Sequence, residues 1–297
     1  MSISPPTSFL SLKKIREYMI KYEFRPLKKF GQNFLIDYNI TTIIVKSLSL
    51  QKKEAVLEIG TGLGALTLAL IPAVQHVFSF EKDTRLKPIL DDLLSPYSNS
   101  VTVLYQDILT FDLAHFLSLK KQEGYHIEKL VGNLPYSISL PLLRKIMDMR
   151  SLLKIAVVMV QKEVAERMLA KPGSKNYGLL SVMSNYYTRI DKLHLVKPNV
   201  FFPKPEVESL LIKIHFLQKP NIKVIDEDLF FDIVRAIFQH RRKSLANALK
   251  LYFGKSLEKY MLEKILEEAG INPNQRGETL SLEEYPELTK AIKNIIN

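Results

Sequence analysis

Asn133-Leu134-Pro135-Tyr136 sets an amide, a backbone carbonyl, a rigid proline and an aromatic ring side by side, directly after an apolar run. That grouping suits a flat ring carrying an amino group. An adenine N6 amine is a poor nucleophile because its lone pair is delocalised into the ring. Acceptors set against its two hydrogens draw the nitrogen toward tetrahedral geometry and free that pair. The Asn133 side-chain oxygen and the Leu134 carbonyl can do this, with Pro135 fixing the turn. Tyr136 can stack on the base. A methyl sulfonium then needs alignment rather than a strong general base, and no such base is evident. Alone, the tetrapeptide reads as an ordinary turn.

A second stretch gives it meaning. Glu58-Ile59-Gly60-Thr61-Gly62-Leu63-Gly64 is a strand end running into a glycine-rich turn that opens a helix. Glycine permits the tight turn and lets a ligand approach bare backbone N–H groups. Glu81 closes the next apolar run, 23 residues after Glu58, where a carboxylate can accept both hydroxyls of a ribose. A nicotinamide site would read the same way. Two features argue against it: the acid Glu58 precedes the glycines, and Asp107 ends the following strand, where it can take an adenine amino group. Both fit S-adenosylmethionine.

These residues need a frame. Ala55–Ile59, His76–Phe80, Val101–Tyr105, Lys129–Gly132, Ile155–Val160, Leu193–Val196 and Leu210–Phe216 read as strands. Leu63–Leu70, Arg85–Leu94, Leu140–Arg150 and Glu163–Leu169 read as helices between them. The alternation implies a mostly parallel, doubly wound α/β sheet, with ligands at the carboxyl ends of its strands. Gly60–Gly64, Glu81, Asp107 and Asn133 then share one rim. After Phe216 the texture changes. Leu229–Leu251, Leu257–Ala269 and Leu282–Ile296 show helical periodicity without strands. The expected organisation is a catalytic domain over 1–217 and a smaller all-helical domain over 218–297.

Composition narrows the chemistry. The 297 residues contain no cysteine, which excludes disulfide scaffolds, cysteine zinc sites, thiolate attack on pyrimidines and iron–sulfur radical methylation. The six histidines are scattered without metal-ligand spacing, so no metal site is expected. Ile155–Val160 is the longest clear apolar run and is strand-sized, so no membrane partner is expected. Met1–Ser8 is polar and is expected to fray; a reducing cytosol suits the whole. The net charge is +11, and residues 1–217 carry 29 basic against 19 acidic side chains. Basic residues clustered around the glycine loop suit a polyanion, RNA or DNA first.

Several stretches together resemble the ribosomal RNA adenine dimethyltransferases. They are Lys29-Phe30-Gly31-Gln32-Asn33-Phe34-Leu35, the glycine loop, Asn133-Leu134-Pro135-Tyr136-Ser137-Ile138-Ser139 and Phe201-Phe202-Pro203-Lys204-Pro205-Glu206-Val207-Glu208-Ser209. Phe238–Leu245 and Arg276–Leu280 are similar to that family's helical region. The likeness spans roughly 25–285 and is closest to the small-subunit branch linked to kasugamycin resistance. It implies a class I S-adenosylmethionine-dependent methyltransferase fold, Rossmann-like with a mostly parallel seven-stranded sheet. The implied product is N6,N6-dimethyladenosine at two adjacent adenosines in the 3′-terminal hairpin of 16S rRNA. The implied partner is an immature small subunit, met by a cytoplasmic monomer.

By motif match, Gln32, Asn33 and Leu35 line the cofactor beside Glu58, Gly60, Gly62, Glu81, Asp107 and Asn133. Phe201 becomes a second stacking face opposite Tyr136 for a flipped base. Ser137 stands where the family often has Asn, and Glu206 where a basic residue is usual. His240-Arg241-Arg242-Lys243 reads as helix, with Arg241 and Arg242 about 100° apart and therefore serving different faces. Three rivals stay open on sequence: the macrolide-resistance type acting on large-subunit rRNA, a non-catalytic nucleic-acid binder, and a small-molecule methyltransferase.

Overall fold

A computed structural model describes residues 11–27, 30–254 and 259–296. The expectations placed on Met1–Ser8, on Lys29 and on a helix start at Leu257 lie outside the described residues. Seven strands make the main sheet: β2 (Ala55–Ile59), β3 (His76–Glu81), β4 (Val101–Tyr105), β5 (Ile127–Asn133), β6 (Ile155–Gln161), β7 (Thr188–Val196) and β9 (Ser209–Phe216). Their order is β4-β3-β2-β5-β6-β9-β7. The five strands from β4 to β6 pair in parallel, and β9 runs antiparallel to β6. A separate pair joins β1 (Phe34–Leu35) to β8 (Phe201–Phe202).

All seven expected strands of the main sheet form. β2 and β3 are buried at every residue, as parallel strands covered on both faces must be. β7 starts earlier than Leu193, because its first half alternates polar residues that an apolar-run criterion passes over. Helices also form at Tyr38–Leu48, Leu113–Gln122 and Leu179–Tyr187, beyond those expected. Asp37 and Asp112 cap the first two by accepting the N–H of the third residue beyond.

Register brings the strand ends together. Ile59 lies beside Phe80 on one side and Gly132 on the other, and Glu81 lies beside Tyr105. Gly60, Glu81 and Asn133 therefore emerge on one rim. Gly132 allows that approach, since a Cβ there would stand 2.6 Å from the Ile59 carbonyl oxygen.

The chain divides into two compact units: Met1–Ala165 with Ile190–Gln218, and Glu166–Arg189 with Lys219–Asn297. This differs from the expected single cut after 217, because residues 166–189 join the helical unit. The reason is shared burial. Tyr177, Val182, Tyr186 and Tyr187 belong to one apolar cluster with Phe230, Leu249, Leu266 and Tyr285.

Within that unit the expected helix Leu229–Leu251 is two, Glu227–Gln239 and Leu245–Phe253. Ser244 is extended and bridges Arg276, which breaks the helix at His240–Lys243. The helical reading of His240-Arg241-Arg242-Lys243 is therefore corrected. Arg241 turns back to pair with Glu278 and to donate to the Ser174 carbonyl at 3.2 Å, while Arg242 is exposed.

Candidate active site

A cavity opens on the sheet rim, lined by Phe30–Leu35, the glycine turn, the ends of β3 and β4, and Asn133–Ile138. The turn is built from left-handed glycines, with φ of 83° at Gly60 and 55° at Gly62. The Gly60 N–H donates to the Phe80 carbonyl at 2.8 Å, tying the turn to β3. At Gly62 a Cβ would also meet the Phe34 ring at 3.0 Å, so glycine is required there for space as well as for conformation.

Glu81 is buried at the end of β3. Its Oε2 accepts the Gly62 N–H at 2.9 Å and its Oε1 the Asp83 N–H at 2.8 Å. Each oxygen keeps a second lone pair for a ligand hydroxyl. Burial raises its pKa, and the N–H groups of Asp83, Gly62 and Lys82 partly oppose that rise. Asp107 is held below the ordinary carboxylate range, chiefly by the Lys82 ammonium at 2.7 Å. The donor set thus offers paired acceptors for a diol, a second carboxylate for an amine, and bare backbone between them. A nucleoside-bearing cofactor fits it.

Asn133 ends β5 at the cavity. Its side chain meets the Asn33 carbonyl at 2.8 Å. A carbonyl only accepts, so Nδ2 must face it, and Oδ1 is left as an acceptor. The Leu134 N–H is bound to the Met159 carbonyl at 3.0 Å, anchoring the tetrapeptide to β6. Tyr136 is half-buried, and its hydroxyl lies 2.6 Å from Ser209 Oγ.

Gln32, Asn33, Leu35, Gly60, Gly62, Glu81, Asp107 and Asn133–Tyr136 all line the one cavity. Glu58 and Phe201 do not. Glu58 has no exposure and lies beneath the turn, where Thr67 Oγ1 and Ser79 Oγ both donate to its Oε2 at 2.7 Å. Ser79 in turn accepts from Thr61 Oγ1 at 2.6 Å, so Glu58 braces the turn rather than meeting a ligand. Burial pushes its pKa up to about 7, against the two hydroxyl bonds that lower it. Phe201 is 3% exposed and pairs with Leu35 in the core, whereas its neighbour Phe202 is only half-buried. Adjacent residues of a strand face opposite ways, and sequence alone does not say which way each faces.

Asp83 and Ser209 join the site without standing out in the sequence. The signal for Asp83 is its capping position two residues after Glu81. Ser209 only closes the motif that begins at Phe201.

The profile of the ribosomal RNA adenine dimethylases matches residues 24–287. The chain belongs to that family. It is a ribosomal RNA adenine dimethyltransferase built on the class I methyltransferase fold. A ribosomal RNA small subunit methyltransferase A of Bacillus mycoides is 43% identical over 280 residues, covering 94% of this chain and 95% of that protein. The enzyme of the same name from Bacillus cereus is 42% identical over the same shares. The crystal structure of a dimethyladenosine transferase from Plasmodium falciparum superposes with a TM-score of 0.73 at 25% identity, over 88% of this chain and 98% of that one. The 23S rRNA methyltransferase ErmE shares the fold, with a TM-score of 0.65 at 22% identity, over 88% and 100% of the two chains. In this dimethylase family member, the described residues include no helix long and apolar enough to cross a membrane.

Proposed function

We propose that this dimethyltransferase methylates N6 of two adjacent adenosines in the 3′-terminal hairpin of 16S rRNA, giving N6,N6-dimethyladenosine in an immature small subunit. The observation that carries the reading is the Asn133 amide. Its nitrogen is committed to the Asn33 carbonyl, so its oxygen is the atom available to an amine in the cavity.

Asn133 Oδ1 and the Leu134 carbonyl accept the two N6 hydrogens and free the lone pair. Pro135 holds that carbonyl in place, and Tyr136 offers a ring to the flipped base. Gly60 and Gly62 hold a cofactor by backbone, Glu81 by its ribose hydroxyls and Asp107 by its adenine amine. Gln32, Asn33 and Leu35 close the wall. S-adenosylmethionine, when bound there, supplies a methyl group already activated as a sulfonium.

The small-subunit assignment rests on identity above 40% with relatives of that name along nearly the whole chain. The basic balance of residues 1–217 supports a polyanionic substrate, and the helical unit adds rRNA contacts. The enzyme works as a cytoplasmic monomer in this reading.

The test is transfer of labelled methyl groups to undermethylated small subunits, large subunits and free rRNAs, with nucleoside analysis. Dimethyladenosine confined to small subunits is the expected result. Label in large-subunit rRNA alone, or none anywhere, would overturn the proposal.

A further inference from the structure

Glu81 and Asn133 end different strands, with β2 between β3 and β5. A run of hydrogen bonds outside the sheet nevertheless joins them. The Asp83 N–H donates to Glu81 Oε1 at 2.8 Å. The Asp83 carboxylate accepts from Gln32 Nε2 at 2.7 Å and from Arg85 Nε at 2.8 Å. The next residue after Gln32 is Asn33, whose carbonyl receives the Asn133 amide at 2.8 Å. Gln32 is held at its other end too, where Oε1 accepts the Leu27 N–H at 2.9 Å.

Asp83 is only 2% exposed. Burial, the largest influence on it, would raise its pKa, yet the bonds from Arg85 and Gln32 outweigh burial and hold it below the usual value. It is therefore an ionised, buried carboxylate, a costly group to keep unless each oxygen is used. Capping the Thr84–Leu86 turn needs one oxygen, which accepts the Arg85 N–H at 3.2 Å. The second oxygen is shared: it accepts from Gln32 Nε2, 51 residues away in sequence, and from Arg85 Nη2, so the guanidinium spans both oxygens while Gln32 adds the one long-range bond. Arg85 adds to the same grip, its guanidinium standing 5.1 Å from the centre of the Phe24 ring and 5.7 Å from that of Phe30.

We infer that Asp83 is a positioning residue for methyl transfer: through Gln32 it fixes the Asn33 carbonyl, and through that carbonyl the orientation of the Asn133 amide. Glu81 shares the same aspartate, so the cofactor side and the base side of the cavity are joined by one chain of bonds. The role in transfer rests on the proposed function above; the linkage from Asp83 to Asn133 does not.

Asp83→Asn removes the charge and replaces one acceptor oxygen with a donor NH2, so the joint grip of Arg85 and Gln32 on the side chain is broken and Gln32 is released from the ion pair that holds it. The Asp83 N–H to Glu81 is untouched, which predicts a loss in kcat with little change in KM for S-adenosylmethionine. Gln32→Met keeps the length of the side chain and removes both bonds. The full-length chain is used, with two readouts. The first is the Asn133 side-chain NH2 resonance, identified as the pair missing from Asn133→Ala. The second is steady-state transfer to undermethylated small subunits.

Both variants are expected to move the Asn133 pair and to lower kcat about tenfold; for Asp83→Asn, which lies outside the cavity lining, KM for the cofactor is expected to stay within about threefold. The double variant is expected to be no worse than the worse single one, because both act through one path. An unmoved Asn133 pair in both variants, or losses that multiply in the double, would overturn the inference. If Asp83→Asn does not fold, Gln32→Met decides by the same readouts. The spectrum needs no cofactor and no RNA. A wild-type chain that methylates nothing, with variants that still move the Asn133 pair, would remove the proposed function and leave the linkage standing.

Discussion

Replacing Glu58 with Gln should change how stability depends on pH. Glu58 is fully buried beneath the glycine turn, and burial pushes its pKa from 4.5 to about 7. Below pH 4.5 the carboxyl is protonated in both the folded and the unfolded chain, and its full contribution to stability is present. Between 4.5 and 7 the unfolded chain releases the proton while the folded chain keeps it, so stability falls as pH rises. Above 7 both are ionised, and the fall is complete at about 3 kcal/mol.

Glutamine does not titrate. Its oxygen can take the Thr67 and Ser79 hydroxyls, but its NH2 then occupies the place of Oε1, which has no partner. That leaves two buried N–H hydrogens unmet where the protonated carboxyl leaves one O–H, an extra cost of about 1–3 kcal/mol that does not vary with pH. The variant should therefore be the less stable protein at pH 5 and should gain on the wild type through pH 7. Denaturant unfolding at half-unit steps from pH 5 to 8 measures this. Parallel curves for the two proteins would refute the placement of Glu58 as a carboxyl that stays protonated up to about pH 7.

Gly132→Ala should lose about 1–3 kcal/mol in denaturant unfolding, because its Cβ would press on the Ile59 carbonyl, a backbone atom that cannot turn aside. Methyl transfer should fall with it, since Asn133 is the next residue. Ser209→Ala removes the partner of the Tyr136 hydroxyl, 2.6 Å away; about a tenfold drop in kcat/KM for small subunits is expected, and an unchanged value would exclude any role for the Tyr136 ring's orientation. Tyr177→Phe strands the buried Leu280 carbonyl that its hydroxyl meets at 3.0 Å, so the unfolding midpoint should fall by the equivalent of about 1 kcal/mol.

The rim of the sheet was legible because its positions are periodic. A buried parallel strand announces itself by an apolar run, and the residue that follows must lie at the carboxyl edge. Gly60, Glu81, Asp107 and Asn133 could thus be placed together without any knowledge of tertiary contacts. The motif match sets Glu58 at the cofactor and Phe201 against the base, and the structure buries both away from the cavity, because each placement depends on which way one side chain of a strand points. A two-residue strand such as β8 carries no pattern from which to read that. The break at His240 was hidden for another reason. No glycine or proline marks it, and what opens the helix is the bridge between Ser244 and Arg276. Asp83 was hidden because its partner Gln32 is distant in sequence.

The helical unit is made from an inner excursion of the chain, Glu166–Arg189, and the tail from Lys219. It is therefore not a module that ends where the sheet ends. On the ribosome the excursion is synthesised before its partners, with Tyr177, Val182, Tyr186 and Tyr187 waiting for Phe230, Leu266 and Tyr285. Since domains fold as units and exposed apolar surface invites aggregation, that interval is a liability of synthesis. The sheet shares the delay, because β7 and β9 follow the excursion in sequence. Cutting the chain after Gln218 would leave half of the cluster without its other half. Losing the tail by truncation thus exposes a broken core, and a shorter relative would have to lose or rebuild the excursion as well.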